Sequence, residues 1–426
     1  MIIDTNKKRL TSGSFIVEEG GASVNKTLFL LIKSFLGTGI IFLPKAFYVA
    51  GLIPSIFFLA LSAGVSLWGL LLLAEAASVI PGSYQDIAQA LYGPKFKSVV
   101  LVSIAIAQFC FAMIYIIFVA SNIKDLVSTL SHCKHQMGDF FPLVMAQLIV
   151  YIPLVLVRQM KNFANIALVG NIAIFLSIIY VLWNDIKHAS QAPLEWKMTS
   201  SVSSMVLFYG ISISAFEGIG LVVPVRQAMA NPARFSWCLK VCMIFLTVMY
   251  LIVGGTSALV FGKSTETIIL LNMPNGMILQ ILQIGYVFAI SISVPLQLFP
   301  AFEIMEAPLF PDPHLGHKSS KAAELQRSVF RIAVVVVVCL VAYMFSGILD
   351  LFVSLVGVFV CIPISFIYPP MLYLKACAST KKQKYSSIAL IAFAILSMAV
   401  CTFITVEKIL SGQVDEQLDR CADGIA

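Results

Sequence analysis

The chain has 426 residues, of which 59% are hydrophobic and only 12% charged, with 28 lysines and arginines against 21 aspartates and glutamates. A water-soluble domain carries about 25% charged residues, so this composition leaves too little charged surface to face water on all sides and excludes an ordinary soluble protein. Most of the surface must face lipid.

Residues 1–26 hold Lys7, Lys8, Arg9, Glu18 and Glu19 and precede a long apolar run without a small-residue cleavage signature, so they read as a cytosolic N-terminal tail and not as a removable signal peptide. From there, apolar stretches of the roughly 17–25 residues that a membrane helix needs recur along the chain. They fall near 27–48, 54–79, 99–121, 140–157, 162–183, 201–223, 237–261, 276–300, 329–347, 351–374 and 386–406. This pattern predicts an all-α membrane protein with eleven transmembrane helices in a transporter domain at 27–410, followed by a luminal or extracellular tail at 411–426. The stretch 329–374 reads either as one kinked hairpin or as two spans, with Gly347 to Asp350 as the turn. A β-barrel is excluded by runs such as Val334 to Val338, which do not alternate.

Basic residues set the orientation. With the N-terminus in the cytosol, the N-tail and the cytosolic loops hold nineteen of the 28 lysines and arginines, and the far side holds seven. That is a positive-inside bias, and it accounts for the formal charge of +7 by topology, with no nucleic acid as partner. Between the second and third spans, Pro81-Gly82-Ser83-Tyr84 and Tyr92-Gly93-Pro94 bracket a segment that predicts a short amphipathic helix at the cytosolic interface. The connection 301–328, with Glu303, Glu306 and Asp312, is expected to be a solvated cytosolic loop. Of the nine cysteines, Cys133 and Cys421 fall on the far side, where one disulfide between them is conceivable; no disulfide framework follows.

Two apolar runs are punctuated. The first contains Gly37-Thr38-Gly39 and then Pro44; the sixth contains Gly210, Phe216-Glu217-Gly218, Gly220 and Pro224. Glycine in a helix costs about 1 kcal/mol relative to alanine, and unpaired backbone is not tolerated in lipid, so such punctuation needs a reason. A tight crossing of two helices accounts for glycines as well. Pro44 shifts the balance toward a break, because it removes a donor and clashes with the preceding turn. Breaks in the first and sixth spans are the signature of two five-helix halves related by inversion, here 27–183 and 201–374, with the eleventh helix at 386–406 as an addition.

The chemistry follows from the broken ends. Amides at Gly37, Thr38 and Gly39, with the positive end of the following half-helix, form a carboxylate pocket. Carbonyls freed around Phe216, Glu217 and Gly218 attract an ammonium. A zwitterionic amino acid matches both poles. Tyr209, Phe216, Gln108, Tyr115, Gln283 and Tyr286 are candidates for the wall that meets its side chain, although aromatic residues are common as plain membrane core. Glu217 is the strongest candidate for proton coupling, or it holds the broken helix together. Ser291 and Ser293 are candidates for a sodium site, against the common alternative that membrane serines bond to their own backbone.

Glu75, Lys33, Lys45 and Asp350 are read as interfacial or solvated, and Asn171 as an interhelical bond. No metal site follows from the scattered His132, His135, His188, His314 and His317, no cofactor is expected, and neither a Walker loop nor a catalytic triad is present, so the chain is not read as an enzyme.

The run Lys33-Ser34-Phe35-Leu36-Gly37-Thr38-Gly39-Ile40 with Leu43-Pro44-Lys45-Ala46-Phe47 resembles the first-helix motif of the amino acid/auxin permease family, in particular its vacuolar and lysosomal proton-coupled branch. Ser83-Tyr84-Gln85-Asp86-Ile87, Tyr92-Gly93 and Ala215-Phe216-Glu217-Gly218-Ile219 extend the resemblance over about 26–410, while the short N-tail departs from the long tails of many fungal members. The resemblance implies the LeuT-like 5+5 inverted-repeat fold of the APC superfamily with one extra helix. It also implies carboxylate binding at Gly37, Thr38 and Gly39 and amine binding around Phe216–Gly218. The expected function is symport of neutral L-amino acids across a vacuolar or lysosomal membrane, driven by protons, by a chain acting as a monomer. Sodium coupling and a non-transporting amino-acid sensor are the alternatives.

Overall fold

Helix is the only regular structure in which an apolar segment satisfies its own backbone in lipid, apart from a closed barrel, and the described residues of this chain are built from it. The computed structural model describes residues 21–37, 39–131, 139–157, 164–189, 197–310 and 321–412. Thr38, the side chain of Asn171, residues 1–20 and 413–426, His132, His135, His314, His317, Cys133 and Cys421 lie outside them.

The first span is two helices, α1 (Val24–Phe35) and α2 (Gly39–Ala50), bent by 56° relative to each other. Then come α3 (Leu52–Val79), the short α4 (Tyr84–Tyr92) and the long α5 (Pro94–Leu130). Next are α6 (Phe141–Ala146), α7 (Leu148–Leu156) and α8 (Ala164–His188). The sixth segment is again two helices, α9 (Val202–Ala215) and α10 (Ile219–Ala228), here without a comparable bend. The chain continues through α11 (Phe235–Phe261), α12 (Met277–Leu309), α13 (Lys321–Phe345), α14 (Leu349–Leu355), α15 (Tyr368–Ala376) and α16 (Lys381–Leu410).

Seven helical stretches among the described residues are long and apolar enough to cross a membrane, or eight with the bent pair α1/α2 counted as one span. One of them, Ala322–Ala376, runs for 55 residues. At about 1.5 Å per residue it is more than twice the roughly 30 Å of a hydrocarbon core. A 3₁₀ turn at Ser346–Ile348 interrupts it at the turn expected at Gly347 to Asp350. The segment expected near 140–157 corresponds to α6 and α7, a shorter apolar stretch broken at Gln147, whose amide donates to the carbonyls of Ile116 and Leu143.

The expected amphipathic helix is α4. Ser83 and Asp86 form a capping box at its start, and Lys97 pairs with Asp86 at 3.2 Å. Burial alone would raise the Asp86 carboxyl, but the hydrogen bonds from Ser83 and the Lys97 ammonium outweigh it and hold the group below the usual carboxylate range. Tyr84 anchors α4 by donating to the Ile364 carbonyl at 2.7 Å, and the Tyr92 hydroxyl donates to the Met371 carbonyl at 2.9 Å.

The structure corrects the reading of 301–328 as one loop. α12 continues through Pro300 and Pro308 to Leu309, so Glu303 and Glu306 are helical. The Glu306 carboxylate accepts from Nε and Nη2 along one edge of the Arg331 guanidinium, at 2.5 and 3.0 Å, and Arg331 also donates from Nη1 to the Val155 carbonyl at 3.0 Å and lies over the Phe302 ring. Arg331 is buried, and this fork ties α12, α13 and α7 together at one end of the molecule.

Candidate substrate site at two interrupted helices

The two breaks meet. Gly39, the first residue of α2, lies so close to Ala215, the last of α9, that a Cβ on Gly39 would sit 2.8 Å from the Ala215 Cα. Gly218 faces the Phe35 ring in the same manner, and a Cβ there would overlap it. At Gly39 the neighbour is backbone and only glycine permits the approach, whereas a side chain at Gly218 would require the Phe35 ring to move. The N-terminal end of α2 therefore stands against the carbonyl end of α9. One end carries partial positive charge and the other partial negative charge, side by side.

Tyr250 of α11 joins them. Its hydroxyl lies 3.1 Å from the Phe35 carbonyl and 3.0 Å from the Ala215 carbonyl, so one phenol serves the last residues of both upstream half-helices. The Phe216 ring packs on the Tyr250 ring with centroids 5.0 Å apart. A second tie lies at the opposite ends of the same spans. The Ala22 amide donates to Ala228 at 2.8 Å, and the Ala230 amide donates back to Ala22 at 3.0 Å, which pins the start of α1 to the end of α10. The broken pair is thus linked at its middle and at one end.

The two breaks are finished differently. At the sixth, the Glu217 carboxylate accepts from the Ile219 amide at 3.0 Å and from the Ser365 hydroxyl at 2.6 Å. It places a carboxyl group at the positive end of α10, supplied by the chain itself. Ser365 lies in the second of two π-helical turns, Val356–Cys361 and Pro363–Ile367, that interrupt the span running from α14 to α15. The wider turns bring that span against α9, where Gly357 and Gly210 let the two backbones approach. At the first break, the Gly37 amide donates to the Phe35 carbonyl at 2.9 Å in a tight turn. That corrects the expectation that Gly37 offers a donor to a carboxylate. The donors left by helix geometry are the first-turn amides of α2 from Gly39 onward, which have no intrahelical acceptor.

The other candidates scatter. Tyr209 packs on Phe58 of α3, centroids 5.6 Å apart, and points toward Ser397 and Cys401 of α16. Gln283 donates to Asp125 of α5 at 2.8 Å, and Tyr286 packs on Phe118 at 5.0 Å, so both serve the α5/α12 seam. Gln108 and Tyr115 are half-buried on α5. The Ser293 hydroxyl donates to its own backbone at Ala289, 2.9 Å away, and Ser291 faces Tyr151 of α7, so the structure does not gather the two serines with the first break into a cation site. Glu75 is exposed beside Tyr373, and the Asp350 carboxylate caps the Leu351 amide at 2.8 Å.

Sequence reasoning missed Tyr250 and Ser365. Each is a single hydroxyl inside an apolar run, and nothing local distinguishes it from membrane core. Tyr250 does lie one turn before Gly254, where the Phe47 ring of α2 seats itself, which marks that face of α11 as a close-packed one.

Interrupted, mutually packed helices of this kind define a membrane transport protein class, and the comparisons agree. The chain belongs to the family described as transmembrane amino acid transporter protein, whose family model matches residues 20–410. It is 35% identical over 389 residues to vacuolar amino acid transporter 3 of Schizosaccharomyces pombe, covering 91% of this chain and 58% of that protein. It is 32% identical over 413 residues to vacuolar amino acid transporter 3 of Saccharomyces cerevisiae, covering 95% of this chain and 59% of that protein. The chain thus spans about three-fifths of the length of these two relatives. Its fold matches that of a solved nucleobase-cation-symport-1 family transporter in a closed conformation with bromovinylhydantoin bound. The TM-score is 0.56 at 10% identity, over 95% of this chain and 97% of that one. The chain is accordingly a multi-pass membrane protein of a transporter family.

Proposed function

We propose that this protein is a secondary active transporter of neutral L-amino acids, proton-coupled, in a vacuolar or lysosomal membrane. The observation that carries the reading is the apposition of the α2 amide end, at Gly39, with the α9 carbonyl end, at Ala215. Those two poles suit the carboxylate and ammonium of one zwitterion. The names of the fungal relatives support an amino acid as the substrate class.

In this reading the chain crosses the membrane eleven times, with halves at 27–183 and 201–374 related by inversion, the eleventh helix added, and the N-terminus in the cytosol. The carboxylate sits on the first-turn amides of α2, beginning at Gly39. The ammonium sits at the carbonyls of Phe216 to Gly218. Alternating access moves the linked pair α1/α2 and α9/α10 as one body against the scaffold that Arg331 and Glu306 hold together. Protonation of Glu217 turns an acceptor into a donor, and so loosens its hold on the Ile219 amide and the Ser365 hydroxyl. That change gives the proton a handle on the broken helix.

Reconstitution into liposomes with labelled amino acids, under separately imposed proton and sodium gradients, tests the proposal. Uptake accelerated by the proton gradient at fixed sodium is expected. Acceleration by sodium alone would overturn the coupling, and binding without uptake or exchange would mean a sensor.

A further inference from the structure

Asp185 of α8 is a buried carboxylate that the broken core does not use. It is 1% exposed. Its Oδ2 accepts from the Thr256 hydroxyl at 2.9 Å and from the Ser257 hydroxyl at 2.6 Å, both on α11. Its Oδ1 has no hydrogen-bond partner among the described residues. The side-chain nitrogen of Asn184, also buried, is likewise unpartnered. A carboxylate held this deep with one oxygen unpaired is expensive as an anion, and ionisable groups inside a membrane protein mark ion and proton pathways.

We infer that Asp185 is a proton-binding site in the half of the protein away from the α4 end, reached past His188 and read out through α11. His188 is half-buried in the last turn of α8, with its Nδ1 2.9 Å from the Asn184 carbonyl, and it is the ionisable neighbour that acts on Asp185. On α8 itself the exposed Lys187 is the next ionisable residue; of the helices packed against α8, α11 carries Tyr250 and is followed by Lys263 and Glu266, and α12 carries Tyr286. Both hydroxyl protons of Thr256 and Ser257 point at Oδ2, which leaves a single open oxygen. That arrangement suits one proton better than a metal cation, which gathers several oxygen ligands.

The readout is geometric. Ser257 lies seven residues, two helical turns, beyond Tyr250 on α11 and therefore on the same face. A change in the Asp185–Ser257 bond bears on the helix whose phenol joins the Phe35 and Ala215 carbonyls. With Glu217 at the broken core and Asp185 at the outer end of α8, the protein holds two carboxylates at different depths. The role of Asp185 in coupling rests on the transport reading; its protonation does not.

The test is infrared difference spectroscopy of the purified full chain on acidification, which sees the carbonyl stretch of a protonated buried carboxylic acid. The band is expected in the wild type and in Glu217→Gln, and its Asp185 component is expected to vanish in Asp185→Asn. An unchanged spectrum in Asp185→Asn overturns the proposal, as does a band that sodium alone suppresses at constant pH. If Asp185→Asn does not fold, the Thr256→Val/Ser257→Ala double variant must shift the band frequency, and a band that stays in place overturns the proposal equally. In liposomes, Asp185→Asn should bind amino acid yet lose the dependence of uptake on far-side pH. Wild-type protein that shows the band but moves no amino acid would defeat the transport reading and leave the protonation site standing.

Discussion

The chain is broken between α1 and α2 and again between α9 and α10, yet the two breaks are chemically unlike. The second contains Glu217, which accepts from the Ile219 amide and the Ser365 hydroxyl, so the positive end of α10 meets a carboxylate of the protein. The first turn of α2 carries no acidic residue, and the bend there is 56°. Two helix ends in one molecule thus have different partners, one internal and one, in our reading, the substrate. The asymmetry separates the two roles that glycine and carboxylate punctuation serve, holding a broken helix and presenting it to a ligand.

Substitutions at the breaks sharpen this contrast. The largest effect is expected from Gly39→Val, whose side chain would meet the Ala215 backbone. Overpacking of this kind costs about 1–3 kcal/mol. Thermal unfolding of the detergent-solubilised protein should fall and amino-acid binding should disappear. Glu217→Gln should come next, since charge-assisted hydrogen bonds contribute about 1.5–3 kcal/mol. A lowered unfolding temperature together with flattened pH dependence of uptake is the expected pair of results, and unchanged stability would deny that Glu217 holds α10. Tyr250→Phe leaves the Phe35 and Ala215 carbonyls without their shared donor, with an expected loss of about 1–3 kcal/mol. Its uptake rate should drop more than its binding, if the phenol links the moving helices.

Gly37→Ala is the sharper probe of the first break, because a Cβ there meets nothing within 4 Å. Its stability should stay close to wild type, so any loss of binding by calorimetry reports on the ligand side of the break alone. The smallest effect is expected at α4, away from both breaks. The Asp86 carboxyl is held low, so its stabilising contribution is present above the unfolded value of about 4 and fades as pH falls through the folded one. Asp86→Asn should remove that acid sensitivity, read by unfolding across acidic pH, with little change near neutrality.

The breaks themselves were legible because glycine, proline and a carboxylate inside an apolar run violate local rules that the rest of the chain obeys. The amphipathic α4 was legible through its flanking Pro-Gly and Gly-Pro pairs. What closes the site was not, since Tyr250 bonds to carbonyls 215 residues before it and 35 residues before it in the chain. The same holds for Ser365, 148 residues from Glu217, and for the Arg331 fork, whose partner Glu306 was read as part of a solvated loop although α12 runs on through Pro300 and Pro308 to Leu309. Proline inside α12 is tolerated where neighbouring helices re-satisfy the backbone, a tertiary fact that no local pattern encodes. Gly37 marks the limit in the other direction. Its motif was read correctly as a break, but its own amide turns back onto Phe35.

The most direct test of the account is a structure of the protein with a neutral amino acid bound. The account predicts the substrate carboxylate on the first-turn amides of α2, beginning at Gly39, with the ammonium against the carbonyls of Phe216 to Gly218 and Glu217 still bonded to Ile219. A carboxylate found on the Ile219 amide, with Glu217 displaced, would contradict it.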